Sequence, residues 1–305
     1  MMKVLRTPDS RFQDLPGYDF EPHYLNINDD DGTELRVHYI DEGPRDAEPI
    51  LLMHGNPTWV YLYRKMIPGL LETGRRVLAV DLVGLGRSDK PAKRRYYTQA
   101  RHIDWMSKWL TAMDLQHITL FCQDWGGTIG LHLVAKHPER FDRVVASNTG
   151  LGDGQTVPRA LRIWQWGMKL LPIFPLRYAI RSAIQTASFS EAELEAYVAP
   201  FPSRKYQTAI LAFPQLLPTH PNMPGVADNL LAWEKLSQLR KPFLTLFGTR
   251  DPMTRGADEY LQQVIPGAAG QAHQRISGAG HFTQEDKPEE LVHAITNFLN
   301  TSEDG

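Results

Sequence analysis

The 305-residue sequence lacks the features that mark several special classes of protein. Its only cysteine is Cys122, so no disulfide can form within the chain, which suits a reducing cytoplasm. No apolar run approaches the roughly 18 residues of a membrane-spanning helix, and the first residues do not resemble a signal peptide. The net charge of −2 gives no reason to expect nucleic acid or an anionic membrane as a partner. We therefore expect a cytoplasmic globular protein.

One short stretch combines a strand, a tight turn and a helix around an acidic residue. Ile118 to Cys122 is an apolar run with the length of one buried strand. Asp124 follows it, and the pair Gly126-Gly127 leads into a helical pattern. This order matches the nucleophile elbow G-x-S-x-G, with Asp124 in place of the serine and Cys122 in place of the first glycine.

A carboxylate in the nucleophile position favours a particular chemistry. It is a weak nucleophile toward esters and amides, but it can displace a leaving group from an sp3 carbon and form an alkyl ester. It is already ionised at neutral pH, so no base has to activate it. The alternative is that Asp124 only caps the helix that follows it.

Strand and helix patterns alternate along much of the chain, which predicts βαβ units and a mostly parallel sheet flanked by helices. The predicted strands are Glu21–Asn28, Glu34–Glu42, Ile50–Met53, Arg76–Asp81, Ile118–Cys122, Val144–Ser147, Phe243–Phe247 and Ala272–Ile276. The predicted helices outside the central part of the chain are one that follows Trp59 and runs through Leu71, and Asp104–Asp114, Thr128–Lys136 and Pro288–Asn300.

The central part of the chain breaks this alternation. From Leu151 to Leu231 the sequence is helical and rich in proline. Ser190 and Glu193 have the spacing of a capping box and predict the start of one helix there. We therefore expect a helical cap, residues 151–231, inserted into an α/β core that consists of residues 1–150 and 232–305.

The loop from Gly84 to Asp89 invites comparison with a dinucleotide-binding motif. It has the first two glycines of G-x-G-x-x-G, but Asp89 replaces the third glycine. No helical pattern begins there, so the structural context of that motif is missing. We exclude a dinucleotide site on these grounds.

Two more polar residues follow predicted strands late in the chain. Asp251 follows Phe243–Phe247, and His281 follows Ala272–Ile276. Taken separately, Asp251 could start a turn and His281 could be an ordinary loop histidine. Together with Asp124 they have the chain order and the placement of the α/β-hydrolase triad, at the sheet edge where such folds keep their active sites. The sequence therefore predicts an α/β-hydrolase fold with Asp124, Asp251 and His281 as catalytic residues.

The segment His54-Gly55-Asn56-Pro57 ends another predicted strand. A strand that ends in His-Gly often supplies half of an oxyanion hole in this fold. The backbone N–H groups of Asn56 and Trp125 are the predicted donors. The alternative is a plain turn.

Five motifs make the sequence resemble the haloalkane dehalogenases over nearly its whole length. They are His54-Gly55-Asn56-Pro57-Thr58-Trp59, Ser88-Asp89-Lys90-Pro91, Gln123-Asp124-Trp125-Gly126-Gly127, Ala199-Pro200-Phe201-Pro202 and Gly280-His281-Phe282. The cap segment Ala199-Pro200-Phe201-Pro202 and the position of the acidic residue Asp251 are most similar to subfamily I of that family.

The resemblance implies that two tryptophan indoles hold the halide. One follows the nucleophile, here Trp125, and the other comes from the early cap, here Trp164 rather than Trp166. Some members of this subfamily have an acidic residue at the position of Asn56, whereas members of another subfamily use an asparagine as a halide donor. The sequence does not decide between a side chain of Asn56 that contacts the halide and one that does not. The implied partners are a small halogenated alkane, water and a halide ion, without a metal or organic cofactor, in a monomer or weak homo-oligomer.

Three rival functions use the same fold. An epoxide hydrolase needs acidic hydroxyl donors in the cap, and Tyr178, Tyr197 and Tyr206 are available there. The pair Thr58-Trp59 and the early cap tryptophan Trp164 favour dehalogenation. A fluoroacetate dehalogenase would need an arginine pair or a His-Trp-Tyr set in the cap to bind a carboxylate and fluoride, and the cap has no clear set of this kind. A hydrolase-like binding protein would normally lack a member of the triad, whereas this sequence has all three.

Overall fold

The computed structural model describes residues 2–155, 159–170, 173–186 and 188–301. In the helix Arg159–Leu170, the structure describes the backbone but not the side chains at positions 159–161 and 164. The strands in chain order are β1 (Val4–Leu5), β2 (His23–Asn28), β3 (Glu34–Glu42), β4 (Pro49–Met53), β5 (Arg76–Val80), β6 (Lys90–Pro91), β7 (Ile118–Gln123), β8 (Phe141–Ser147), β9 (Phe243–Gly248) and β10 (Gln274–Ile276).

The α-helices are α1 (Ile67–Leu71), α2 (Gln99–Ala112), α3 (Asp124–Lys136), α4 (Arg159–Leu170), α5 (Leu176–Ala183), α6 (Glu191–Val198), α7 (Thr208–Leu216), α8 (Val226–Leu236), α9 (Ala257–Val264), α10 (Thr283–Asp286) and α11 (Pro288–Asn300). Helices α4 to α8 lie between β8 and β9, where the sequence predicts a helical insertion. None of the helices, as far as the structure describes them, is long and apolar enough to cross a bilayer.

The main sheet has the strand order β10-β9-β8-β7-β4-β5-β3-β2 in the described residues. Neighbouring strands from β10 to β5 run parallel, whereas β3 is antiparallel to β5 and β2 is antiparallel to β3. A small separate sheet pairs β1 with β6. The predicted α/β-hydrolase architecture, a mostly parallel sheet flanked by helices, is confirmed.

The central strands are apolar on both faces because helices cover both sides of the sheet. Every residue of β4 and of β7 is buried, including Gln123 at the end of β7. Parallel strands place their carboxyl ends at one edge of the sheet, so the loops after β4, β7, β8, β9 and β10 meet there. This edge carries the candidate active site.

Local sequence signals explain several helix boundaries. Helix α11 has the predicted bounds, with Pro288 at its start and Leu291, Ile295 and Phe298 on the buried face. Helix α2 begins earlier than predicted because the hydroxyl of Thr98 accepts the backbone N–H of Arg101 and caps a polar first turn. Such a turn carries no apolar periodicity, so the spacing of hydrophobic residues could not indicate it.

The predicted capping box at the start of α6 is present. The Ser190 hydroxyl accepts the backbone N–H of Glu193 at 3.2 Å, and the Glu193 carboxylate accepts the backbone N–H of Ser190 at 2.8 Å. Both bonds satisfy N–H groups that have no partner within a helix or strand. The cap therefore contains at least one helix whose start is determined by its own sequence.

Candidate active site

Asp124 lies at the sharp turn between β7 and α3. Its φ of 52° is left-handed, which is uncommon for a residue with a side chain. The backbone N–H of Asp124 donates to the carbonyl of Asn148 at 3.1 Å, and its own carbonyl accepts the hydroxyl of Thr149 at 2.7 Å. These two bonds to the loop after β8 stabilise the strained turn. The carboxylate is 22% exposed, so it projects from the turn as a nucleophile elbow requires.

Glycines allow the neighbouring loops to approach this turn. A Cβ on Gly126 would lie 2.2 Å from the carbonyl oxygen of Met53, and a Cβ on Gly55 would lie 2.1 Å from Oδ1 of Asp124. Any side chain at either position would push the loop after β4 away from the nucleophile turn. The side chain of Cys122, which replaces the first glycine of the motif, is fully buried within the sheet, so this position needs no glycine.

The structure brings Asp124, His281 and Asp251 together. Nε2 of His281 lies 3.4 Å from Oδ2 of Asp124, and its Nδ1 lies 3.0 Å from Oδ2 of Asp251. The Asp251 carboxylate also accepts the backbone N–H of Met253 at 2.9 Å and the hydroxyl of Thr254 at 2.5 Å. It is 1% exposed, so the imidazole stands between a fully buried carboxylate and a partly exposed one.

The two carboxylates change the protonation of His281. Burial lowers the pKa of His281, but its hydrogen bonds to Asp124 and Asp251 and their negative charges raise that pKa to about 10. Burial raises the pKa of Asp251, but the hydrogen bond from His281 and its charge outweigh burial and hold this pKa below its usual value. The resting site therefore favours an imidazolium between two carboxylates.

The loop after β4 brings a backbone donor to the same site. The N–H of Asn56 donates to Oδ1 of Asp124 at 2.7 Å. The N–H of Trp125 is in the first turn of α3, where no residue of the helix can accept it. Of the two predicted oxyanion donors, the N–H of Asn56 therefore already contacts the Asp124 carboxyl group, and the N–H of Trp125 has no acceptor within its helix.

A buried polar network that the sequence analysis missed supports this loop. Nε2 of His54 accepts the backbone N–H of Leu82 at 3.1 Å, so Nδ1 is the donor to the carbonyl of Gly55 at 2.9 Å. Close by, Asp81 accepts Nδ1–H of His38 at 2.7 Å. Burial lowers the pKa of both histidines, which favours their neutral forms. The signal in the sequence was Asp81 itself, an acidic residue directly after a buried strand.

Asn148, directly after β8, contacts all three loops of the triad and was also missed. Its carbonyl accepts the N–H of Asp124, and its Nδ2 donates to the carbonyls of Gly280 and His281 at 2.9 and 3.0 Å. Its Oδ1 accepts the N–H of Gly248 at 2.9 Å. Through its backbone carbonyl and its fully buried side chain, Asn148 therefore determines the spacing of the nucleophile turn, the end of β9 and the histidine loop, residues 277–282.

Gln123, the residue before the nucleophile, holds His281 from another direction. Its Nε2 donates to the carbonyl of His281 at 3.1 Å, which determines the orientation of the amide. The same nitrogen lies 3.1 Å from Nε2 of His281. The amide can therefore donate a hydrogen bond to the imidazole when the latter is neutral.

Residues 48–288 match the family model described as the alpha/beta hydrolase fold. A haloalkane dehalogenase of Psychrobacter cryohalolentis is 51% identical over 300 residues, which are 98% of this chain and 99% of that protein. A haloalkane dehalogenase of Mycolicibacterium paratuberculosis is 46% identical, with 97% of this chain and 98% of that protein covered. The tetrameric haloalkane dehalogenase of Paraglaciecola agarilytica has a TM-score of 0.89 and 34% identity over 97% of both chains. This chain belongs to the haloalkane dehalogenase family.

The family resemblance assigns Trp125 and Trp164 to halide binding, and the structure describes the side chain of Trp125 only. Trp125 is 5% exposed, and its ring centroid lies 5.2 Å from that of Phe213 in α7. Among the hydrogen bonds of the described residues, none has its indole N–H as the donor. Trp164 is a residue of α4, but its side chain lies outside the described residues. Trp166, the alternative, is 65% exposed.

Two motifs shared with haloalkane dehalogenases join the core to the cap. The indole N–H of Trp59 donates to the carbonyl of Ala196 in α6 at 3.1 Å. The hydroxyl of Thr7 donates to the carbonyl of Pro200 at 2.7 Å. The Thr58-Trp59 pair and the Ala199 to Pro202 segment therefore seat α6 on the core, a structural role distinct from halide contact.

The cap tyrosines bear on the epoxide hydrolase alternative. Tyr197 is fully buried, and its hydroxyl donates to Glu285 at 2.8 Å. While this bond is present, Tyr197 cannot protonate an epoxide oxygen. Tyr178 is 75% exposed, and the ring of Tyr206 lies 5.4 Å from Nζ of Lys205. The pair of acidic donors that an epoxide hydrolase needs would have to come from these two residues alone.

Proposed function

We propose that this protein hydrolyses carbon–halogen bonds of small halogenated alkanes to give an alcohol, a halide ion and a proton. The observation that carries the proposal is a carboxylate, Asp124, in the nucleophile position with His281 and Asp251 behind it. A serine there would suit acyl transfer, whereas a carboxylate suits displacement at an sp3 carbon. Membership of the haloalkane dehalogenase family supports the same reaction.

Asp124 performs the first half-reaction. One carboxylate oxygen forms a bond to the halogen-bearing carbon while the carbon–halogen bond breaks, and the bonding electrons leave with the halide. The indole N–H groups of Trp125 and Trp164 donate to the halogen as its negative charge develops. The product is an alkyl ester of Asp124, and no base takes part because the carboxylate is already ionised.

His281 performs the second half-reaction. Its Nε2 takes a proton from a water molecule whose oxygen attacks Cγ of the ester, while Asp251 orients the imidazole. The N–H groups of Asn56 and Trp125 stabilise the oxyanion that forms. This intermediate collapses to the alcohol and the Asp124 carboxylate, which leaves His281 as the imidazolium of the resting site. The proton released in each turnover is the one that His281 loses to solvent once Asp124 is esterified.

Ester formation adjusts the base at the required moment. In the resting site, hydrogen bonds and charges of both carboxylates raise the pKa of His281 against the effect of burial. The ester of Asp124 carries no charge, so one cause of the raised pKa is removed when the first half-reaction ends. The pKa of His281 therefore falls, and the neutral imidazole that the second half-reaction needs becomes more populated.

The orientation of α4 supports Trp164 as the second halide donor. Gln165 and Met168 are buried, whereas Trp166 is 65% exposed. Successive residues of an α-helix are about 100° apart, so position 164 lies about 40° from Met168 and about 200° from Trp166. Position 164 is thus near the buried side of the helix.

The side chain of Asn56 is the other candidate for halide contact. The donor to a halide would be its amide NH2, because its Oδ1, which is buried and has no partner among the described residues, can only accept. Its backbone N–H already contacts Asp124, so the side chain belongs to the same loop as the oxyanion donor. If Trp164 is not a donor, the Asn56 amide is the next group to test.

We also propose a core of residues 1–150 and 232–305 and a cap of residues 151–231. Helix α8 runs across the boundary at 231/232, and the indole N–H of Trp233 donates to the carbonyl of Leu151 at 3.1 Å. The two predicted boundaries are therefore in contact. The elements between them, α4 to α7 and most of α8, follow the end of β8.

For assembly and location we propose a cytoplasmic monomer or weak homo-oligomer. The single cysteine, Cys122, is buried and forms no disulfide. The relative from Paraglaciecola agarilytica is tetrameric, and Ile163, Trp166 and Leu170 form an apolar stripe on α4 that is at least 61% exposed. Light scattering across a concentration series distinguishes a monomer from a stable tetramer.

Halide release from 1,2-dibromoethane at pH 8 tests the function, with styrene oxide as the control substrate. We expect bromide and 2-bromoethanol in equal amounts and no diol from the epoxide. Diol formation without bromide release would replace the proposal with epoxide hydrolysis. If neither product forms, the chain is a binding protein with the fold of a hydrolase.

A further inference from the structure

Two adjacent carboxylates, Glu285 and Asp286, follow His281 in the chain and both reach the cap. Glu285 accepts a guanidinium N–H of Arg64 at 2.6 Å and the hydroxyl of Tyr197, in α6, at 2.8 Å. It therefore clamps α6 through side chains. Because α10 begins only two residues after His281, a cap contact here lies close in the chain to the proposed base.

Asp286 reaches the cap through backbone groups. Its Oδ1 accepts the N–H groups of Gln185 and Thr186, just after α5, at 2.6 and 2.8 Å. A backbone N–H group cannot move by a side-chain rotation. The length of these bonds therefore depends directly on the position of the cap backbone at Gln185 and Thr186. They lie about 100 residues away in the sequence from Asp286.

Unlike the side chain of Glu285, the side chain of Asp286 also contacts the histidine loop. Its Oδ2 accepts the backbone N–H of Gly280, the residue before His281, at 2.8 Å. One carboxylate therefore bridges the cap segment and the loop of the proposed base. Each of its oxygens serves one of the two sides.

The cap backbone lies directly against the histidine loop at this point. A Cβ on Gly280 would lie 2.7 Å from the carbonyl oxygen of Ala183 and 2.8 Å from Cγ of Gln185. The absence of a side chain at position 280 thus lets the two segments touch. A shift of the cap would alter both this contact and the bonds of Asp286.

We infer that Asp286 is a positioning residue for His281, which couples the placement of the base to the seating of the cap. The inference rests on the proposed two-step reaction. A general base must lie within hydrogen-bond reach of the water that it deprotonates, so the Gly280 bond affects ester hydrolysis. The first half-reaction is insensitive to it, because Asp124 has its own bonds to Asn56, Asn148 and Thr149.

The test is Asp286→Asn. An asparagine has a single acceptor oxygen, so it can accept on only one side, and its NH2 group meets a donor on the other. We expect a burst of one equivalent of bromide at the wild-type rate. Steady-state turnover should then fall about tenfold to a hundredfold, the cost of a misplaced catalytic group, and the alkyl ester should accumulate on the peptide that contains Asp124.

Glu289→Gln is the matched control, since Glu289 is an exposed carboxylate in the adjoining α11. This variant should keep both the burst and the steady-state rate. Amide hydrogen exchange supplies a readout independent of turnover: in Asp286→Asn, the amides of Gln185, Thr186 and Gly280 should lose protection. If Asp286→Asn does not fold, Asp286→Glu is used instead. It keeps both carboxylate oxygens but displaces them by one methylene, and the lifetime of the alkyl ester is measured in the same way.

A wild-type ester lifetime in Asp286→Asn, with protection of the Gly280 amide lost, would overturn the inference because the bond would be broken without consequence for the base. Loss of the burst would also overturn it, since the residue would then affect the whole site. If the wild-type protein itself releases no halide, the proposed function has failed. The exchange data would still show whether Asp286 links the two segments.

Discussion

The nucleophile turn and the cap are stabilised by different kinds of contact. The turn at Asp124 is held mainly through backbone groups, with the N–H of Asn56 on its carboxylate and the carbonyl of Asn148 on its N–H. In the cap, α6 is held mainly through side chains: Arg64 bridges Glu193 of α6 at 2.5 Å and Glu285 of α10 at 2.6 Å, and Tyr197 of α6 donates to the same Glu285. The backbone contacts follow from strand order, whereas the side-chain contacts depend on how helices pack.

This difference separates two aspects of the function. Strand ends in a parallel sheet meet whatever the cap does, so the bond-making groups have a rigid frame. The cap presents its residues from helices joined to the core by a few clamps, and α4 has an exposed apolar stripe on one side. We therefore expect substitutions at the nucleophile turn to abolish halide release, and substitutions in the cap to reduce its rate without abolishing it.

The largest expected effect is that of Asp124→Ala. No other group at the turn can carry the alkyl ester, so halide release should fall to background, and circular dichroism should show a folded protein. Turnover at the wild-type rate in a pure sample of this variant would refute both the proposed reaction and the special role of the turn.

His281→Phe should stop the reaction after its first half. Asp124 is ionised without help from a base, so one equivalent of halide should appear in a burst and the ester should persist. Rapid-quench measurement of halide and mass spectrometry of the peptide that contains Asp124 check this. If neither burst nor adduct is found, His281 acts earlier than proposed or is not the base.

Trp164→Phe tests whether the cap contributes to the chemical step. A hydrogen bond to a charged group contributes about 1.5–3 kcal/mol, so its loss should slow carbon–halogen cleavage by about tenfold to a hundredfold. Bromide titration followed by intrinsic fluorescence should also show weaker binding. Single-turnover halide release gives the rate of cleavage.

Trp166→Phe is the control for that variant. Trp166 is 65% exposed, so bromide affinity should stay within about a factor of three of the wild-type value. A loss of affinity in Trp166→Phe but not in Trp164→Phe would reverse the assignment. If neither variant loses affinity, the second donor lies elsewhere, with the Asn56 side chain as the first candidate.

The smallest effect on activity is expected for Tyr197→Phe. The change removes the hydroxyl that donates to Glu285, so the free energy of unfolding should fall by about 1.5–3 kcal/mol. Halide release should change by less than about twofold, because Tyr197 is a clamp between cap and core. Denaturant unfolding and steady-state kinetics check the two parts, and a large loss of turnover at unchanged stability would revive an acidic role for Tyr197.

Residues with a strong local context could be predicted from the sequence. Asp124 lies between a buried strand and a Gly-Gly turn, and the Ser190 capping box spans four residues, so both signals are complete within a short segment. Asn148 and Asp81 had no comparable signal, because a polar residue after a strand is common. Their importance depends on partners that strand order brings to the same edge.

Sequence patterns were enough to predict the α/β alternation, the bounds of α11, and the chain order of Asp124, Asp251 and His281 at the ends of strands. These features depend on periodicity and turn chemistry that act over a few residues. Three contacts could be seen only in the folded protein: Tyr197 donates to Glu285, Trp59 seats α6 on the core, and Asp286 bridges the cap and the histidine loop. Each of these contacts joins segments far apart in the chain, and the packing of helices on the sheet selects them from many carboxylates and donors of similar local sequence.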